Sequence, residues 1–128
     1  MAGQTFTAAQ VLTAAQMNTL NTAAISVPQN AATTGSYPIV LADAGTSIHS
    51  TATRTVTIPA NASIAFPVGS VLTFTAAAGA TVTIAITTDT MYLAGSGTTG
   101  SRTLAPFGIA TAIKLTSTTW LISGNGLT

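Results

Sequence analysis

The side chains best suited to acid–base chemistry near neutral pH are one histidine and two aspartates, His49, Asp43 and Asp89. A histidine and an aspartate can join a serine in a hydrolytic triad, since triads depend on geometry and not on sequence order. The sequence has no Gly-x-Ser-x-Gly elbow to present a nucleophile. Both aspartates lie in turn-like contexts, where the side chain stabilises the turn. We therefore predict no catalytic residues and expect the protein not to be an enzyme.

Metal and nucleic-acid sites are disfavoured by the same scarcity of functional groups. A zinc site needs several His, Cys or carboxylate ligands, and the chain has no cysteine or glutamate. We expect no metal and no cofactor. The three basic side chains, Arg54, Arg102 and Lys114, are too few to neutralise a run of phosphates. No apolar run approaches the ~18 residues of a membrane span, so neither nucleic acid nor a membrane is an expected partner.

Charge is the most unusual property of the composition. Charged residues make up 4% of the 128 residues, whereas globular domains average about 25%. Exposed charge keeps free monomers apart. The composition therefore indicates a single domain that packs against copies of itself or against a larger assembly.

The N-terminal residues contain a repeated helix-start motif. Thr7 with Gln10 and Thr13 with Gln16 each match a capping box flanked by apolar residues. The first motif predicts a single turn and the second a helix over residues 14–22, so that residues 1–25 form a helical arm. Such a short helix is marginal alone in water, and it packs either on its own β domain or on a neighbour. The predicted docking and assembly residues are Phe6, Val11, Leu12, Met17 and Leu20.

The remainder of the chain predicts a linker and a β domain. Residues 26–36 contain Pro28, Asn30 and Gly35 and are typical of a linker. Residues 37–128 contain about seven β-branched or aromatic runs separated by turn residues. The runs are Tyr37–Leu41, Arg54–Ile58, Ser70–Thr75, Thr81–Thr87, Met91–Ala94, Gly108–Thr116 and Thr119–Ser123. We predict an all-β fold, an antiparallel sandwich or jelly-roll-like domain with a short N-terminal helical arm.

Alternation within these runs predicts which residues form the core. Around Val56 and Val82, apolar residues share one parity and threonines the other, which indicates one buried face. Trp120 lies inside a strand and is interpreted as a core anchor rather than a sugar platform. Lys114 is expected either to point outward or to contact an interface. The predicted core residues are Val56, Ile58, Phe66, Val82, Ile84, Ile86 and Trp120.

Two stretches carry a resemblance to virion proteins. The string FTAAQVLTAAQMN at residues 6–18 resembles the opening of small virion proteins of tailed bacteriophages. Residues 56–72, 79–85 and 112–124, with their Pro-Ala-Asn, Phe-Pro-Val-Gly and Trp-Leu-Ile-Ser-Gly landmarks, are similar to a β module of phage tail-fibre ends and other virion surfaces. The resemblance implies a trimeric virion component that is assembled in the host cytoplasm.

These observations favour a non-enzymatic bacteriophage structural protein, a homotrimeric capsid decoration or head-fibre protein on the particle exterior. Its expected partners are itself and the major capsid protein or other virion proteins. The alternative is a small tail, collar or fibre-tip protein that contacts the host surface through Trp120, Tyr92 or the loop at residues 95–101. A hydrolase of cell-wall sugar is disfavoured by the missing glutamates and the single histidine.

Overall fold

The computed structural model describes residues 7–9 and 11–128. In this part of the chain, one helix precedes eight strands, and a 3₁₀ turn at Leu41–Asp43 lies between the first two strands. The helix is α1 (Ala14–Ile25). The strands are β1 (Tyr37–Pro38), β2 (Ser47–Ser50), β3 (Arg54–Ile58), β4 (Val71–Ala76), β5 (Val82–Ile86), β6 (Thr90–Leu93), β7 (Arg102–Thr116) and β8 (Thr119–Leu127). The expected all-β character is correct.

Helix α1 begins at the second predicted capping box. The Thr13 hydroxyl accepts from the Gln16 backbone N–H at 3.2 Å, and the Gln16 side-chain oxygen accepts from the Thr13 N–H at 2.9 Å. The helix ends at Ile25, three residues beyond Thr22, before the extended backbone of Ser26. The first motif includes Gln10 and therefore lies partly outside the described residues. No helix in the described chain is long and apolar enough to cross a membrane.

The strands form one mixed sheet in the order β1-β3-β5-β7-β4-β2. β5 pairs with the start of β7 near Thr103, and β4 pairs with its later part near Thr111. β8 runs along the opposite edge of β7 and also pairs with β6. Register shifts between Leu104 and Ile109 divide β7 into two parts, where Phe107 has a φ of 60°. The sheet therefore has a first limb (β1, β3, β5) and a second limb (β2, β4, β8, β6).

The expectation of an antiparallel fold is correct only for the pairs that involve β7. β1 with β3, β3 with β5, β2 with β4, and β6 with β8 are all parallel. The physical reason is the order of the chain, because odd and even strands from β1 to β5 alternate between the two limbs. After each strand, the chain forms a strand in the other limb before it returns to the first. Neighbouring strands within one limb therefore run in the same direction. Hairpins between successive strands, which the expectation assumed, would have made these pairs antiparallel.

The core is a single cluster built from the inward residues of both limbs. Burial alternates strictly along β3 and β4, as expected for strands with one covered face. Phe66 packs edge-on against Trp120, with ring centroids 5.7 Å apart. Ile86 is half-buried and packs against the cluster. The other predicted core residues are buried, and they are Val56, Ile58, Phe66, Val82, Ile84 and Trp120.

β2 was absent from the predicted runs. Its sequence, Ser-Ile-His-Ser, is half polar, although Ile48 and Ser50 point inward and are buried. The segment at residues 28–30 covers the outer edge of this strand. The Ser47 N–H donates to the Pro28 carbonyl at 2.9 Å, and the Asn30 N–H donates to the Ser47 carbonyl at 2.8 Å. Part of the predicted linker is therefore hydrogen-bonded to the sheet.

Candidate functional site

All charged side chains of this protein lie in the described residues, and none of them is fully exposed. Asp43 and Arg54 are each 5% exposed, Asp89 is 8% exposed and Lys114 is 1% exposed. Arg102 is half-buried. Burying ionised groups is costly unless polar partners compensate. The hydrogen bonds and ring contacts around each charged group therefore determine how far the cost of its burial is compensated.

Asp43 is held by donors from residues 30–40. Its Oδ1 accepts from the Asn30 side-chain amide at 2.6 Å, and its Oδ2 accepts from the Tyr37 hydroxyl at 2.8 Å and the Val40 N–H at 2.9 Å. Burial raises the pKa of Tyr37; the hydroxyl's hydrogen bond with Asp43 and the charge of that carboxylate raise it further, while Asn30 and Arg54 oppose the shift. These contacts join residues 30, 37 and 43 into a structural cluster.

Arg54 completes this cluster without an acidic partner. Its guanidinium lies 5.8 Å from the centre of the Tyr37 ring. Nε donates to the Ser50 hydroxyl at 2.7 Å, and Nη2 donates to the His49 carbonyl at 3.3 Å. Nη1 is buried and has no partner within the described chain. Burial lowers the pKa of Arg54, and its contacts tie the connection between β2 and β3 to the core.

His49 does not form part of a triad with either aspartate among the described residues. Its Nδ1 lies 2.8 Å from the Thr75 hydroxyl, and no hydrogen bond joins it to Asp43 or Asp89. No group of three His, Asp or Glu side chains in residues 7–9 and 11–128 could hold a metal ion. The hydrogen bond between His49 and Thr75 instead links β2 to β4.

Lys114 points inward, which corrects the expectation of an outward or interface lysine. Its Nζ donates to the Asn61 side-chain oxygen at 2.8 Å and lies 5.5 Å from the centre of the Trp120 ring. The Asn61 N–H donates to Asp89 Oδ2 at 3.0 Å, so Asn61 lies between a buried cation and a buried carboxylate. Trp120 is 0% exposed, and its Nε1 has no partner in the described chain. The interpretation of Trp120 as a surface that binds sugar is therefore wrong.

The outward side of the second limb forms an uncharged surface, which we call the outer face. Its rows follow the register of β4, β7 and β8: Thr75 with Ile109 and Asn125, Thr73 with Thr111 and Ser123, and Val71 with Ile113 and Leu121. The third row continues to Tyr92 on β6, and we call these four residues the apolar row. Ile113 and Tyr92 are exposed, as is Leu115 just beyond them.

Both lateral edges of this limb are covered by the chain itself. Residues 28–30 cover β2, as described above. On β6, the Leu93 N–H donates to the Thr98 carbonyl at 2.8 Å, and the Gly100 N–H donates to the Met91 carbonyl at 3.1 Å. Covered edges oppose the addition of a foreign strand. The outer face is thus the part of the limb that remains open to a partner.

Helix α1 is a second open surface. Val11, Leu12 and Met17 are exposed, Val11 by 84%, whereas Leu20 is half-buried. Phe6, the remaining predicted docking residue, lies outside the described residues. The helix makes no extensive contact with any strand. The side chains of Val11, Leu12 and Met17 are therefore available to another surface.

A shallow groove beside residues 95–101 is the remaining candidate. It has a volume of about 320 Å³, and its lining includes Asp89, Met91 and Ser101. Tyr92, which follows Met91 on β6, lies beside the groove without lining it and is 38% exposed. The groove offers hydroxyls and one carboxylate, which is a set that could accept hydrogen bonds from a sugar.

Sequence reasoning missed the outer face because apolar residues occupy both parities of β7. An outward Lys114 would place Ile113 and Leu115 on the inward side, yet the inward residues are Ala110 and Ala112. The signal that could have found the outer face was the high density of small residues at the even positions of β7.

In comparisons with known proteins, no family model, curated protein or solved structure matched this chain.

Proposed function

We propose that the protein is a non-enzymatic structural subunit of a bacteriophage particle, a homotrimeric capsid decoration or head-fibre protein on the particle exterior. The observation that carries the proposal is that four of the five charged side chains are buried, while the outer face carries none of the five. A free monomer with such a surface lacks the repulsion that keeps proteins apart in solution. An assembled subunit has that surface covered.

The phage setting rests on the sequence. The FTAAQVLTAAQMN string and the landmarks from Pro-Ala-Asn to Trp-Leu-Ile-Ser-Gly resemble virion proteins. The exposed helix α1 suits a docking arm, which would bind the major capsid protein or clasp a neighbouring subunit. The particle would be the protein's final location after assembly in the host cytoplasm.

The proposal extends to the architecture. The two limbs share one core cluster, and β7 has a register shift and a positive φ at Phe107 where it passes from one limb to the other. We propose that the limbs face each other as the two layers of a sandwich. The strands in these layers are largely parallel, which differs from the hairpin-built jelly roll.

The copy number on purified particles of the encoding phage tests this function. A decoration protein should stain as one of the most abundant bands after the major capsid protein, because it covers the shell. Densitometry against the capsid band gives the ratio. A band at the level of minor tail proteins would contradict the head assignment, and absence from purified particles would contradict a structural role.

The groove beside residues 95–101 favours a second candidate, a tail, collar or fibre-tip protein that binds a host glycan. Tyr92 is the exposed aromatic residue near this loop, and aromatic rings suit contact with sugars. This candidate predicts that cell-surface binding is lost in Tyr92→Ala and retained in Tyr37→Phe, which alters the tyrosine of the Asp43 cluster. Equal binding by the parent and Tyr92→Ala would remove the candidate.

A further inference from the structure

The described chain presents two open, uncharged surfaces, helix α1 and the apolar row of the outer face. We propose that α1 of a second copy of this chain packs across the apolar row, so that each subunit clasps the next. The inference rests on the self-assembly proposed above and specifies which surfaces meet. A single type of contact between copies would then cover both α1 and the apolar row.

The chemistry of the helix matches that of the outer face. α1 reads AAQMNTLNTAAI and contains no charged residue, whereas helices that remain in water are commonly stabilised by charged pairs one turn apart. Met17 is 53% exposed and Ile25 is 77% exposed. The apolar row is equally free of charge because Lys114, between Ile113 and Leu115, points inward. No charge would be desolvated when the two surfaces meet.

The dimensions also agree. A helix of 12 residues is about 18 Å long at ~1.5 Å per residue. The apolar row crosses β4, β7, β8 and β6, and its end strands are about 14 Å apart at a spacing of ~4.8 Å. One helix therefore spans the row from Val71 to Tyr92.

A second copy fits better than a foreign protein or the chain's own helix. Ordinary protein surfaces carry many charges, which would lose water against the outer face without gaining an ionic partner. The chain's own surface does not have this cost. In the structure, α1 makes no extensive contact with its own strands, and Ile113 remains exposed. A helix-to-face contact is heterologous, and such contacts form closed rings when the rotation permits, as a trimer requires.

Single-cysteine variants test the contact, since the natural chain has no cysteine. Met17→Cys and Ile113→Cys are prepared separately, one with a size tag, then mixed, unfolded, refolded together and treated with a short thiol cross-linker. We expect a mixed cross-linked dimer on a denaturing gel. Thr103→Cys, which is exposed at the start of β7, replaces Ile113→Cys in the control and should give only background. Leu115→Cys serves as a second outer-face variant if Ile113→Cys fails to fold.

The parent protein is examined in parallel by light scattering, which separates the two levels of the proposal. A monomeric parent at all concentrations would overturn both the self-assembly and this contact. An oligomeric parent whose Met17→Cys and outer-face variants do not cross-link would overturn the contact alone. A Met17→Cys/Ile113→Cys double variant that cross-links only within one chain would show that α1 docks on its own sheet, which also contradicts the inference.

Discussion

At the residue scale, Lys114 illustrates how this protein keeps charge away from its surface. Lys114 is 1% exposed, and its ammonium donates to the Asn61 side-chain oxygen and lies over the Trp120 ring. We expect Asn61→Ala to lower the free energy of unfolding by about 2 kcal/mol, because a hydrogen bond to a charged group is lost while the charge stays buried. Urea unfolding followed by Trp120 fluorescence measures this, since Trp120 is the chain's one tryptophan.

The matched control removes the charge instead of its partner. Lys114→Met keeps the length of the side chain and leaves no buried cation, and such replacements are often close to neutral. We therefore expect Lys114→Met to lose less stability than Asn61→Ala. If Asn61→Ala unfolds at the same urea concentration as the parent, the hydrogen bond to Lys114 does not stabilise the fold.

Tyr37 makes a pH-dependent contribution to stability. Burial raises its pKa above the ordinary 10.0, so the folded chain holds the phenol proton more tightly than the unfolded chain does. The contribution is therefore complete below the ordinary value and is lost as the pH rises through the folded value. In Tyr92→Phe, where Tyr37 is the remaining one of two tyrosines, we expect the phenolate absorbance to titrate above 10.0. A midpoint at or below that value would contradict the burial of this hydroxyl.

At the element scale, the contact between β7 and β8 depends on Gly124. A Cβ at this position would overlap the Ile109 carbonyl oxygen and lie 2.6 Å from Ala110 Cα. Both obstacles are backbone, so no side chain can move aside. We expect Gly124→Ala to destabilise the protein by about 3 kcal/mol, measured by urea unfolding. The neighbouring residue, Ser123, is exposed, and Ser123→Ala should change the free energy of unfolding by less than about 0.5 kcal/mol. Equal stability of the two variants would argue against this register.

The elements also show what the sequence could predict. The start of α1 followed from Thr13 and Gln16, because a capping box is a local interaction between residues three apart. The position of β3 could be predicted from the local alternation of apolar residues and threonines. The parallel pairing could not be predicted, because it depends on which limb each strand joins, and no local pattern encodes that. The outward orientation expected for Lys114 was wrong because small residues occupy inward positions of β7: Ala112 lies between the larger Leu72 and Ile122 in the register.

At the scale of the whole molecule, the 4% of charged residues has a more specific meaning once their positions are known. Four of the five charged side chains lie in the interior, Asp43 and Arg54 in one cluster and Lys114 and Asp89 as partners of Asn61 in another. Arg102 is half-buried. The surface is left to threonine and apolar side chains. Long-range attraction or repulsion between copies is therefore weak, and short-range packing on the outer face and α1 decides association.

This leads to a prediction about salt. Contacts between uncharged surfaces do not depend on the screening of charges by salt. The dissociation constant of the oligomer should therefore not increase between about 0.05 and 1 M NaCl.

Thr111→Glu places a carboxylate in the middle of the outer face and should give monomers at concentrations where the parent is assembled, because the charge would have to be buried. Thr103→Glu adds the same charge at the start of β7 and should remain assembled. Light scattering of the three proteins across the salt series measures the effect. Dissociation of the parent by salt, or equal assembly of the Thr111→Glu and Thr103→Glu variants, would show that the uncharged outer face is not the contact that holds the subunits together.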